Sequence, residues 1–194
     1  MKITKEKSEK NRQDLLEAAA RLFCERGVDG TGVADICKKA GLTHGALYSH
    51  FESKDDLAAE ALAYELGKSL PRMKKVVGSK KPTLAAYLEN YLSPDHRDNL
   101  AGGCPIAASA SEIARHGSSL SSSFTDGFLQ MVDAVESVLN PSRKKHNHRR
   151  AVMIVSTMIG AVAAARATAK SDADLSDEIL ADVRELLNKL DDPK

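Results

Sequence analysis

The sequence predicts an all-helical protein. Apolar residues recur at i, i+3, i+4 and i+7 along most of the chain, and the few β-branched runs are short and sit inside that period. Gly, Pro and short hydroxyl or acidic residues fall where such helices would start and stop. The pattern yields about nine helices, with no repeat of the solenoid kind. With 42% hydrophobic and 28% charged residues among 194, the chain can build a core, which excludes wholesale disorder and collagen-like structure.

The first helix carries an apolar stripe, Leu15, Ala18, Ala19, Leu22 and Phe23, and should stop at Gly27. Thr31 can cap a short second helix with Val33, Ile36 and Cys37 on one face, ending near Gly41. Thr43 can cap a third, with Leu47, Tyr48 and Phe51. Ser53 caps a fourth, whose first turn holds Asp55 and Asp56, where the helix dipole favours anions. Leu57, Ala58, Ala61, Leu62, Tyr64 and Leu66 follow, and Pro71 should kink or end this helix. Gly78–Pro82 reads as a linker, and a fifth helix covers Thr83–Leu92. Ser93-Pro94-Asp95 and Gly102-Gly103 bound a loop, and Pro105 opens a sixth helix. A seventh covers Ser119–Leu139, stopped by Asn140-Pro141. The eighth spans Arg143–Ala169, and the ninth, Leu175–Leu190, is capped by Ser176 or Asp174. The first four helices form an N-terminal unit, residues 1–58, and the long fourth helix joins it to a second helical unit, residues 59–194.

Lys+Arg exceed Asp+Glu by one, 28 against 27, so any nucleic-acid signal must be local. Cys24, Cys37 and Cys104 form no CxxC pair, and the N-terminus has no apolar signal segment, so a reducing, cytoplasmic setting is expected. The longest uncharged run, Ala151–Ala165, would reach about 22 Å as a helix, short of the roughly 30 Å hydrocarbon core, and is read as a buried helix without a membrane partner. Nucleophile-elbow, zinc-protease and phosphate-loop motifs are absent, so no enzyme activity and no cofactor are expected. His146 and His148, two residues apart in a basic run, face opposite sides of a helix with no carboxylate beside them in sequence; no metal set is expected there.

The informative segment is Val33–Phe51. Ile36, Ala40, Leu42 and Leu47 fall where two short helices bury a common face, Gly41 where the turn needs a positive φ, and Cys37 where the helices touch. The third helix would then expose His44, Gly45, Ala46, Tyr48, Ser49 and His50. Gly45 and Ala46 leave room for a base edge, and the Ala46 methyl can meet a thymine methyl. Tyr48 and His50 can donate to phosphates, Thr43 opens the helix with free N–H groups, and Lys54 adds a point charge. With Thr31 these form the candidate contact set for double-stranded operator DNA. The arm Lys2–Arg12 holds five Lys/Arg against two Glu and suits a phosphate or minor groove.

The run Leu15–Leu62 resembles the TetR family of bacterial transcriptional regulators. Leu15–Phe23, Glu25–Gly27, Thr31, Asp35-Ile36, Ala40–Thr43, Leu47–Phe51 and Ser53–Leu57 carry the resemblance. At the position before Gly45, where the family often has Lys or a hydroxyl residue, this chain has His44. The resemblance implies a ligand-binding and dimerisation domain behind the helix-turn-helix, a homodimer built on the last two helices, and repression relieved by a small-molecule effector. Gly102-Gly103-Cys104-Pro105 also resembles a Gly-Cys-Pro motif in a subset of the family, some of whose members respond to oxidants or electrophiles. With Pro105 at the first helical position, Cys104 would cap the helix, where thiolate is favoured; the redox candidate competes with an inert core thiol.

Tyr87, Tyr91, Phe124, Phe128 and Met131 are spaced for single helix faces. They fill a core or, with Cys104, Ile106, Ser109 and Ile113, line a mainly apolar effector pocket. Gly160, Ala161, Ala164 and Ala165 make a small-residue face which, with Leu186, is the expected dimer seam. The alternative function is a thiol-based or small-molecule-binding helical sensor that binds no operator.

Overall fold

The computed structural model describes residues 4–76, 83–140 and 146–190. Among them are ten α-helices, one 3₁₀ turn and no strand. Their order is α1 (Lys5–Arg26), α2 (Val33–Ala40), α3 (His44–Tyr48), α4 (Lys54–Val76), α5 (Leu84–Tyr91), α6 (Pro94–Asp98), α7 (Pro105–Ser109), the 3₁₀ turn Ile113–Arg115, α8 (Ser118–Glu136), α9 (Asn147–Thr168) and α10 (Ala173–Lys189). The linker expected at Gly78–Pro82, the stop at Pro141 and the start of the eighth helix at Arg143 lie outside the described residues.

Several starts and stops depart from expectation for local reasons. The cap of α2 is Gly32, because the Thr31 hydroxyl is drawn back onto the carbonyls of Gly27 (2.7 Å) and Leu22 (3.3 Å). Pro71 does not end α4, which runs to Val76; an interior proline removes one backbone hydrogen bond without abolishing the turns around it. Ser93-Pro94-Asp95 opens α6 rather than a loop: the Ser93 hydroxyl accepts from the His96 N–H (3.2 Å), with Pro94 at the first position. Asp172 caps α10, accepting from Leu175 N–H, while Ser176 is buried and donates to the Ala165 carbonyl. Where a sixth helix was expected, α7 has only five residues.

The chain folds as two compact units. The first comprises Met1–Gly67 and Cys104–Gly127, the second Lys68–Gly103 and Phe128–Lys194. In the first, Leu15, Ala19 and Leu22 of α1 share a core with Ile36, Leu47, Phe51, Leu57 and Ala58, all buried. Helix α1 packs on α2, α3 and α7. In the second, Leu88, Tyr91 and Leu92 join Ile154, Val155, Met158 and Val162 of α9 and Leu180 and Leu187 of α10 in a buried core. There α10 packs on α9 and α5, and α6 on α9. Arg97 fixes α6 to α10 through Asp177 (2.6 Å) and Ser176 (2.8 Å).

Helix α9, 22 residues with a mean hydropathy of 1.6 over its most apolar window, is long and apolar enough to cross a membrane by length and composition; 39% of that window is buried inside the protein. The 15-residue uncharged run undercounted it, because Arg149, Arg150 and Arg166 also lie within the helix.

Candidate nucleic-acid interface

The turn between α2 and α3 is built on one backbone constraint. Gly41 ends α2 at φ 69°, left-handed, and its N–H bonds back to Lys38 O (3.3 Å) while Leu42 N–H reaches Cys37 O (2.9 Å). A Cβ at Gly41 would meet nothing within 4 Å, so the dihedral and not space selects glycine. Thr43 caps α3, its hydroxyl accepting from Ala46 N–H at 3.2 Å. Leu47, fully buried, anchors α3 to the core, and burial pushes the thiol of the neighbouring core residue Cys37 up from its ordinary value.

Anchoring one side of α3 leaves the other to solvent. Thr43, His44, Gly45, Tyr48 and Ser49 are exposed, Tyr48 at 55%; Ala46 and His50 are half-buried. The nearest atom to a Cβ built on Gly45 is Thr43 Oγ1 at 3.9 Å, so a backbone or base edge can approach there. The Ser49 hydroxyl donates to Ala46 O (2.7 Å). His50 stands edge-on to Phe51, ring centroids 6.4 Å apart. Ser53 caps α4 as expected, accepting from Asp56 N–H (3.0 Å), which sets Lys54, half-buried, at the head of that helix.

Two parts of the expected contact set are displaced. Thr31 is 1% exposed with its hydroxyl spent on Gly27 and Leu22, so it braces the α1–α2 corner and lies off the exposed face. The basic arm is helical from Lys5 onward, and three of its cations have carboxylate partners. Lys10 meets Asp14 at 2.8 Å and Lys5 meets Glu9 at 3.9 Å, while Arg12 pairs with Glu60 and covers the Phe51 ring at 4.9 Å. Lys2 lies outside the described residues.

The candidate pocket residues divide between the units. Cys104, Ile106, Ser109, Ile113 and Phe124 belong to the first, Tyr87, Tyr91, Phe128 and Met131 to the second. Within the first unit a mostly apolar cavity of about 20 Å³, room for one water, is lined by Phe23, Cys24, Leu62, Glu65, Ser109 and Leu120 among others. Of the expected lining residues only Ser109 borders it. A wider groove of about 450 Å³, lined by His50, Glu52, Asp56, Glu60, Ser119 and Ser123 among others, was not foreseen. Cys104 occupies the N-cap position of α7, with Pro105 at the first helical position and no side-chain capping hydrogen bond. It is nonetheless as buried as Cys24, 7% exposed each, and Cys37 is at 3%.

The seam residues also divide. Ala161 and Ala165 face their own unit's core, whereas Gly160, Ala164 and Leu186 are exposed, Leu186 at 61%. The exposed side of α9 continues through Met153, Ser156 and Thr157, and that of α10 through Leu175 and Leu190, residues the sequence did not single out. No group of three or more potential metal ligands occurs among the described residues. His148 does have a carboxylate beside it: Nδ1 is 3.2 Å from Glu136 Oε2, a partner twelve residues away that a local reading of the basic run missed.

A short helix ending in a left-handed glycine, a second helix capped by threonine, and a core-anchored face opposite an exposed one define a helix-turn-helix. Residues 15–61 match the family model of bacterial regulatory proteins, tetR family. AcrR, an HTH-type transcriptional regulator of Shigella flexneri, is 44% identical over 66 residues, 34% of this chain and 30% of that protein. KstR2, an HTH-type transcriptional repressor of Rhodococcus jostii, is 41% identical over 68 residues, 35% of this chain and 33% of that protein. The chain spans about a third of the length of these curated relatives. The crystal structure of reduced E. coli NemR superposes with a TM-score of 0.75 over 92% of this chain and 95% of that one at 18% identity, a likeness of fold.

Proposed function

We propose that the chain is a DNA-binding transcriptional repressor that works as a homodimer on palindromic operator DNA in the cytoplasm and is released by a small molecule or electrophile. The observation that carries the reading is the exposed face of α3, with Gly45 open to close approach and Tyr48 and Ser49 beside it, on a helix whose other side is held by fully buried Leu47. A major groove admits such a helix, and short side chains at its N-terminal end bring the backbone within reach of base edges. The names of the relatives aligned over this segment, transcriptional regulator and repressor, support the same function.

Dimerisation is supported by the uncharged exposed stripe Met153, Ser156, Thr157, Gly160 and Ala164 on α9, beside exposed Leu175, Leu186 and Leu190 on α10. Two hydroxyls and a glycine on that stripe suit close helix packing better than lipid. Two recognition helices about 34–36 Å apart then read successive major-groove faces. The domain reading is residues 1–58 for DNA and 59–194 for ligand and partner, without enzymatic turnover. For the electrophile, Cys104 at the head of α7 is the candidate acceptor. Selection of binding sites from a random duplex library tests the function: a palindromic consensus is expected, and its absence overturns the reading.

A further inference from the structure

His116 stands between two carboxylates that bracket the helix-turn-helix. Asp29 lies at the α1–α2 corner just before α2, and Asp55 in the first turn of α4 just after α3. The ring Nδ1 is 3.1 Å from Asp55 Oδ1, and Nε2 is 3.2 Å from Asp29 Oδ1, at ion-pair distance though off the line of a hydrogen bond. The imidazole is 10% exposed. The remaining oxygens are occupied by the same segment: Gly117 N–H donates to Asp55 Oδ2 (3.3 Å) and Arg115 Nη2 to Asp29 Oδ2 (3.0 Å). Immediately before the 3₁₀ turn, at its N-cap, Glu112 Oε2 accepts from Val28 N–H at 2.7 Å. All these residues belong to the first unit, so one segment, residues 112–117, grips both ends of the recognition element.

The chemistry of the ring decides what this grip responds to. A neutral imidazole has one N–H and one lone pair, so with either nitrogen protonated the other turns a lone pair toward a carboxylate. An imidazolium offers a proton to each. The charged groups facing it are Asp29, Asp55, Arg115 on Asp29, and Lys54, whose charge also acts on Asp29. Asp29 itself is held below the ordinary carboxylate range, chiefly by the hydrogen bond from Arg115, against the opposing effect of burial, with the charge of His116 adding to the lowering.

We propose that His116 is a proton-gated positioning latch: protonated, it ties the α1–α2 corner to the head of α4 and holds the recognition element at binding spacing; neutral, it lets the two ends part. The DNA consequence rests on the regulatory reading above, whereas the latch does not.

The test has two arms. Hydrogen exchange at the Val28 and Gly117 amides, corrected for intrinsic rate, is measured at pH 6 and pH 8 in the wild type, His116→Gln and Asp29→Asn. Protection should fall about fivefold across that interval in the wild type, the scale of one half-exposed ion pair, and stay flat in both variants. Asp29→Asn serves if the glutamine variant does not fold, since an amide can donate to the neutral ring. In the second arm, affinity for a duplex selected from a random library should show the same ratio in the wild type relative to His116→Gln; His44 and His50 are present in both proteins, so their contributions cancel. Equal pH ratios in all three proteins overturn the latch. Failure to select any duplex overturns the regulatory reading and leaves the exchange arm to decide the latch.

Discussion

Replacing Gly27 with alanine should destabilise the first unit more than replacing Gly41, although both glycines have positive φ. Gly41, at φ 69° and ψ 29°, is in the left-handed helical well, and a Cβ there meets nothing within 4 Å. Alanine pays only the left-handed penalty, about 1 kcal/mol. Gly27, at φ 76° and ψ 168°, is in a region open essentially to glycine alone, which costs about 1–3 kcal/mol for other residues. A Cβ at Gly27 would also sit 2.2 Å from Glu112 Oε1 and 2.8 Å from its Cδ. The carboxylate must move and release the Val28 N–H, adding about 1–3 kcal/mol for a part-buried charged hydrogen bond. The expected losses are therefore about 1 kcal/mol for Gly41→Ala and about 2–6 kcal/mol for Gly27→Ala. Urea denaturation followed by far-UV circular dichroism measures both. In a Gly27→Ala/Glu112→Ala double variant the losses should be less than additive, because the clash is gone. A Gly27→Ala variant no less stable than Gly41→Ala would refute the placement of Glu112 against the end of α1.

Other expectations follow from the same geometry. Tyr48→Ala, at a side chain exposed in the free protein, should leave stability within about 0.5 kcal/mol of wild type and weaken binding to a selected duplex by roughly 1–3 kcal/mol in a titration. Ala164→Glu, on the exposed side of α9, should yield a folded monomer by light scattering, whereas Ala165→Glu, fully buried, should compromise folding itself. His96 bonds to the Tyr91 carbonyl (2.6 Å), and burial, aided by Arg166 and opposed by that bond, lowers its pKa from 6.5. The folded state therefore prefers the neutral ring, so its contribution is complete above about pH 6.5 and is lost as pH falls below it. Melting temperatures measured down to pH 5 should drop more in the wild type than in His96→Gln.

What could be read from the sequence was what depends on near neighbours. Gly41, Thr43, Leu47 and Ser53 act within four residues of themselves, and their roles as turn, cap, anchor and cap stand in the structure. Thr31 looked like a cap by the same local rule, but the carbonyls of Gly27 and Leu22, behind it in the chain, compete for its hydroxyl. The small residues of α9 could be assigned to a helix from their spacing, yet not divided between core and surface. That division follows from where α10 packs, which turns Ala161 and Ala165 inward and leaves Gly160 and Ala164 outside. In the sequence His116 stands beside serines 118, 119 and 121–123, with no carboxylate next to it except Glu112, four residues before. Its partners are 61 and 87 positions away, Asp55 and Asp29, and no periodicity links them.

Helix α3 is proposed to read DNA as one half of a symmetric pair. Selecting duplexes from a random library with the purified chain, then measuring chains per duplex by light scattering, tests it most directly. The expected result is a palindromic consensus with half-sites about one or more helical turns apart, two chains or a multiple of two on each site, and affinity at least about a thousandfold above that for scrambled DNA at fixed salt. No enriched sequence, or one chain on an asymmetric site, would contradict it.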